Sequence, residues 1–247
     1  MDLVGRIASY SVEAVSALRS RLEEELKNCP SFQQASQKLT DILYEELTSS
    51  AVLFRVFATV ELEKLPDKER EFALALARGR GFLPELQPKT KVVTLLGSRG
   101  KRPEWNHRHR SERHLAIPLA SASFIKTIPM VSRLMGDMGT GLEWVQKQER
   151  NMIVTSMGHM ARVLYVEDAL GSRTEDGFDV IPDRSFVTDN GIRTVVGLGG
   201  AYLNGAIVAV VLFTNERVPQ DRVEKLMPLV HGFKIATMKQ VMQGRLF

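Results

Sequence analysis

The densest concentration of side chains that could do chemistry lies between Arg99 and His114. Arg99, Lys101, Arg102, Arg108, Arg110 and Arg113 share this stretch with only two acids, Glu104 and Glu112. Guanidinium forks grip carboxylates and phosphates through paired N–H donors. With glycines at its start, the loop could close over a pocket as an anion clamp. Trp105 adds an aromatic face on which a base could stack, so a nucleic-acid contact is a second reading. A third reading needs no ligand at all. From Glu167 to Asp189 there are seven Asp/Glu and two Arg, and the two loops could pack against each other by charge. Outside the basic loop the chain holds 27 residues of each sign (33 less 6, and 29 less 2). A nucleic-acid-binding domain usually shows a broader basic face and a known motif, so a nucleic-acid partner is the least favoured of the three.

His107, His109 and His114 invite a metal reading, but the arginines between them would repel a divalent cation and no cysteine or aspartate joins them locally. His159, just after Gly158, could face a pocket or ligate haem iron, although a lone histidine beside an apolar run is more often structural. Trp144, Met152, Met157 and Met160 could line a pocket with Trp105, or simply fill core. The glycines of Gly197-Leu198-Gly199-Gly200 lead into a strand pair rather than a helix, so they lack the context of a dinucleotide site. No phosphate-loop, nucleophile-elbow or HExxH motif occurs, and the acids after Glu167 do not have calcium-loop spacing.

The 247 residues are 44% hydrophobic, with a formal net charge of +4. No apolar run approaches the roughly 20 residues needed to span a bilayer, and the first residues make a poor secretory signal. The single cysteine, Cys29, excludes an internal disulfide and any four-cysteine zinc site. A reducing cytoplasm is the expected location.

The elements that must position these groups follow from pattern. Val4, Ile7, Ser11, Val15, Leu18, Leu22 and Leu26 form one stripe of a helix over Leu3–Lys27. Ser31 and Gln34 fit a capping box that opens a second helix. A regular stripe at a chain terminus suits a homodimer, or packing within its own domain. Ala51–Val60 and Lys91–Leu96 read as strands, with a helix after Pro66-Asp67 between them. His114–Leu119 is a short extended piece. Helical turns follow over Ala122–Lys126, Met130–Met138 and Leu142–Asn151. Ala161–Val166, Ile192–Leu198 and Ile207–Phe213 are further strands, the last two joined through Leu203-Asn204-Gly205-Ala206 as a type I′ hairpin. Asp221–Met242 is a final helix with a kink at Pro228. The pattern predicts an α+β chain: helices 1–49 for dimerisation or signalling, then a domain over 50–247 with an inserted segment near 97–160.

The run Gly-Ile-Arg-Thr-Val-Val-Gly into a strand, a hairpin ending Leu-Phe-Thr, and Val-Pro-Gln-Asp-Arg-Val-Glu-Lys-Leu opening a last helix resembles the C-terminal half of GAF domains, sensory modules of bacterial signalling proteins. The match is best over Asp189–Thr237. The basic loop followed by HLAIPLASASFIKTIPMVSRL is similar to sensory regions ahead of some histidine kinases and diguanylate cyclases. The resemblance implies a central antiparallel sheet with a small-molecule pocket over one face, and N- and C-terminal helices packed together that dimerise and relay the ligand state. The chain departs from cyclic-nucleotide-binding members, whose Asn-Lys…Phe…Asp-Glu pattern is not found. It also departs from chromophore-binding members, because Cys29 has no histidine near it, and from the sulfoxide reductases, which need several cysteines. The expectation is therefore a non-catalytic sensory domain with Arg99, Arg102, Trp105, Arg108, Trp144, His159 and Arg193 around a small anionic or aromatic ligand. A haem sensor is a variant of it. The cofactor is left unknown, a signalling partner protein is implied, and no membrane partner is expected. The alternative is an interaction scaffold with a filled pocket.

Overall fold

The computed structural model describes residues 5–111, 113–137, 162–174 and 177–247. Six strands form one antiparallel sheet in the order β3-β2-β1-β6-β5-β4. They are β1 Ala51–Glu61, β2 Lys91–Gly100, β3 Ala116–Pro118, β4 Arg162–Val166, β5 Thr194–Ala201 and β6 Ile207–Thr214. The described helices are α1 Val12–Leu26, α2 Phe32–Glu46, α3 Asp67–Gly79, α4 Ala122–Lys126, α5 Pro129–Asp137, α6 Arg184–Asp189, α7 Gln220–Glu224 and α8 Met227–Met242. An antiparallel sheet with helices on its faces and paired terminal helices is the α+β arrangement that the resemblance implied.

Both faces of the sheet are buried, which is why its strands read as nearly continuous apolar runs. On the first face Phe54, Val56, Leu96, Val210 and Leu212 meet α1, α2 and α8. On the second, Leu53, Phe57, Leu95, Val211 and Phe213 meet α4, α5 and the region around α6. The alternation along β1 follows from the period of a strand, in which successive side chains point to opposite faces.

The stripe on α1 is spent inside the chain. Val15, Leu18, Leu22 and Leu26 are buried in the first-face core, and α1 packs along α8. The helix begins at Val12 rather than Leu3, because the Ser11 hydroxyl accepts the Ala14 N–H as an N-cap and a short 3-10 turn precedes it. Ser31 likewise caps α2 by accepting from the Gln34 N–H, as the capping-box spacing required. Residues before β1 thus share a core with the sheet. Helix α2 sits so close to β2 that a Cβ on Gly97 would lie 2.3 Å from the Ser36 carbonyl oxygen. There β2 runs past the end of β3, and α2 serves its edge: Gln37 accepts from the Ser98 N–H and donates to the Ser98 carbonyl, and Gln33 donates to Leu96 O.

Two local expectations change. The β5–β6 turn is not a two-residue type I′ turn. Gly205 donates to Tyr202 O and has φ +80°, and Tyr202 donates to Ala206 O. That is a type I turn followed by a glycine bulge, the commonest three-residue hairpin connection. The final helix is also broken rather than kinked. It divides at Lys225–Leu226, and Pro228 falls in the first turn of α8, where its missing N–H costs nothing.

Candidate functional site

Before the basic loop, β2 carries Ser98 on the second face, and the Ser98 hydroxyl donates to Trp105 O at 2.7 Å. Trp105 thereby folds back over that face. Its ring meets Phe186 of α6 edge-on at 5.6 Å, and Phe186 meets Phe213 of β6 at 5.3 Å. Asp183 caps α6 by accepting from the Phe186 N–H, and also pairs with Arg113 at 2.5 Å. Arg102 Nε donates to Asn190 Oδ1 at 3.1 Å and its guanidinium stacks on Trp105 at 5.2 Å. The basic and acidic loops therefore do meet, through one ion pair, one hydrogen bond and a row of aromatic rings. The acidic loop satisfies much of its own charge, with Asp179 held by Arg173 and Arg184.

The five described residues of the seven singled out from sequence do not converge on one pocket. Arg102 and Trp105 are together. Arg99 pairs in register with Phe54 and points to the first face, where it lies 3.8 Å from Asp41 and over the Tyr44 ring of α2. Arg108 is buried and bonded to Glu69, a fully buried carboxylate of α3, and to Leu95 O, with its guanidinium over the Phe247 ring. Arg108 is therefore a packing element rather than part of an anion clamp. Arg193 is exposed just ahead of β5. Trp144 and His159, with Met152, Met157 and Met160, lie outside the described residues. The histidines separate: His109 Nε2 bonds Glu69 at 2.9 Å, while His114 sits elsewhere beside β1. Among the described residues no group of three or more His, Cys, Asp or Glu could hold a metal ion.

A residue that the sequence reading passed over dominates the second face. Arg55 of β1 lies between Leu53 and Phe57, opposite Ser98 of β2 and Val211 of β6. Among the described residues no carboxylate pairs with it. Its Nε is sealed from solvent without a hydrogen-bond partner, and its one polar contact is from NH1 to His114 Nδ1 at 3.5 Å. Burial draws its pKa down to about 10, with no neighbouring charge to offset this, so it stays charged at neutral pH. The residue as a whole keeps part of its surface accessible. His114 is held near pKa 4, first by burial and then by Arg55 and Arg113, against a smaller opposing pull from Asp183. It is neutral at pH 7. Because Arg55 can only donate, His114 Nδ1 accepts and the ring proton resides on Nε2. The Ser111 hydroxyl in the adjoining loop is buried and unpartnered as well. The signal in the sequence was the single charge within AVLFRVFATV.

On the first face a small cavity is present. The cavity there, among Leu39, Leu43, Phe54, Leu198, Leu212 and Leu229, has a volume of about 20 Å³ and an apolar lining. That is about the space of one water molecule, with no polar partner to hold it.

No family model matches the chain, and no curated protein matches it. Among solved structures it is similar to the phycoerythrobilin-bound GAF domain from a cyanobacterial phytochrome, at 12% identity and a TM-score of 0.45, over 96% of this chain and 99% of that one. It is similar at the same identity and score to the phycocyanobilin-bound GAF domain from a cyanobacterial phytochrome, over 95% and 98%. Likenesses this distant assign neither ligand nor activity.

Proposed function

We propose that the chain is a non-catalytic, GAF-like sensory domain of bacterial signal transduction that binds a small ligand on the second face of its sheet. The observation that supports this is Arg55: a largely buried guanidinium without a counter-charge among the described residues, set between Leu53 and Phe57 on the second face. A charge taken out of water is costly unless something pairs with it, and a ligand can be that partner. Ligand occupancy would shift the population of two conformations of the domain. Strand β1 carries Arg55 on one face and Phe54 and Val56 against the terminal-helix core on the other, so it joins the ligand side to the helices. No helix among the described residues is long and apolar enough to cross a membrane, and we propose a cytoplasmic location.

Native mass spectrometry against the denatured mass tests this reading. Extra mass lost on denaturation supports it, and bare protein from several expression conditions contradicts it.

Dimerisation through the terminal helices remains part of the proposal, on a different surface from the α1 stripe. Ile235 and Met242 of α8 and Val12 of α1 are large apolar side chains left exposed. Sedimentation of the wild type and of Ile235→Glu tests it. A dimer weakened by the charge supports the assignment, and a wild-type monomer at micromolar concentration contradicts it. The scaffold reading draws support from Arg102, Arg108 and Arg113, whose charges already have partners within the chain. It predicts bare protein in the native spectrum.

A further inference from the structure

The structure assigns Arg55, with the neutral His114 beside it, as the recognition group for a ligand carrying a single carboxylate on an apolar body. The assignment rests on the ligand-binding reading above and names the chemistry of that site.

The charge of the site sets the charge of the occupant. Arg55 contributes one positive charge. His114 is neutral at pH 7 and adds no charge of its own. Arg113, the next cation, is already paired with Asp183 at 2.5 Å. The net charge to be matched is therefore +1, which suits a monoanion. A phosphate monoester, close to a dianion at neutral pH, would bring an extra negative charge into a largely apolar surround.

Geometry narrows it further. Arg55 has no carboxylate partner among the described residues, and the terminal edge of a guanidinium offers parallel N–H donors that a planar carboxylate takes two at a time. Apolar side chains flank Arg55, Leu53 and Phe57 on the same strand, Val211 across from it and Leu115 beside His114, while the Ser98 hydroxyl opposite is already spent on Trp105 O. A hydrophilic polyacid would leave its other groups unpartnered there. A short fatty or aromatic acid would not. The arrangement also explains why the site tolerates an unpaired buried charge. A resident Asp or Glu would satisfy Arg55 permanently and close the site to an anion.

The test is thermal denaturation of the full chain with benzoate and hexanoate, set against the neutral amides benzamide and hexanamide and against phenyl phosphate. At least one acid should raise the wild-type Tm by about 2–4 °C, the size of shift expected for a change of about tenfold or less in the folding equilibrium of a chain this long. The matching amide and phenyl phosphate should do less than half as much. Arg55→Met should fold, with an apo Tm equal to or above the wild type, and should not respond to the acids. Arg55→Lys, which keeps the charge but not the fork, should respond weakly.

An amide that works as well as its acid overturns the carboxylate assignment and leaves a ligand pocket in place. A larger shift from phenyl phosphate overturns it in favour of a phosphate site. An Arg55→Met protein that still responds to the acids places their site elsewhere and also overturns it. If neither acid shifts the wild type, the assignment fails; the broader ligand-binding reading fails with it only if the native mass spectrum also shows bare protein.

Discussion

Two arginines are drawn into this fold, and they could hardly be treated more differently. Arg108 comes from the most basic stretch of the chain, yet it ends in a closed arrangement with Glu69, the Leu95 carbonyl and the Phe247 ring. Arg55 comes from an apolar strand and meets only a neutral histidine. Pairing inside the chain makes Arg108 part of the packing. The absence of a partner makes Arg55 a cost to the unliganded fold, and a strand that could as easily hold leucine there keeps the charge. Charge density along a sequence thus pointed at an arginine that the fold pairs internally, while the accounting of partners in space points to one with no carboxylate beside it among the described residues.

The largest effect should come from breaking the closed pair. Glu69→Ala leaves Arg108 buried without its carboxylate and should destabilise by about 3–5 kcal/mol in urea denaturation. A loss below about 1 kcal/mol would mean that Arg108 swings out to water and that the contrast with Arg55 is overdrawn.

The open site should reveal itself through acid. The His114 pKa is lowered in the fold, so between about 6.5 and 4 the unfolded chain binds a proton that the native chain does not. Stability contributed by this group is then full above the unfolded value and falls as pH drops through that window, by on the order of 2–3 kcal/mol. His114→Phe should flatten that part of the pH–stability curve, and a curve unchanged by the substitution would show that the histidine is not desolvated.

The smallest effect belongs to an exposed pair. Asp183→Asn keeps a side-chain acceptor for the cap of α6 but removes the partner of Arg113, whose side chain is mostly in water, and should cost no more than about 1 kcal/mol. It should also lower the His114 pKa further, since Asp183 is the one nearby charge pulling that value upward. A proton NMR titration of the ring would show it.

Much of the fold was legible because its signals are local. Ser31 and Gln34 announced a helix start that the hydroxyl then made. Asn204-Gly205 announced a hairpin, although the glycine serves a bulge rather than a two-residue turn. Ala122–Lys126 was bounded to the residue. The α1 stripe was visible too, but a stripe that faces a partner and one that faces its own sheet have the same spacing, and only α8 lying along it decides between them. The site was less legible for the same reason. Arg108 and Glu69 are 39 residues apart, and nothing local links them. Arg99 and Ser98 are adjacent in sequence and on opposite faces of the sheet, which follows only once the register with β1 is known. Arg55 was the exception: one charge in ten residues of strand is a local signal. It was outshone by the six cations between Arg99 and His114.

The contrast between the arginines can be tested on both at once. Arg55→Met and Arg108→Met remove the same charge from the same kind of side chain, and urea denaturation of the ligand-free proteins compares them directly. The account predicts opposite outcomes: Arg108→Met loses about 3–5 kcal/mol by leaving the buried Glu69 carboxylate with His109 in place of its guanidinium partner, while Arg55→Met is as stable as the wild type or more so. If Arg55→Met is destabilised as much as Arg108→Met, Arg55 is a structural residue with a partner of its own, and the second face of the sheet is not held open for a ligand.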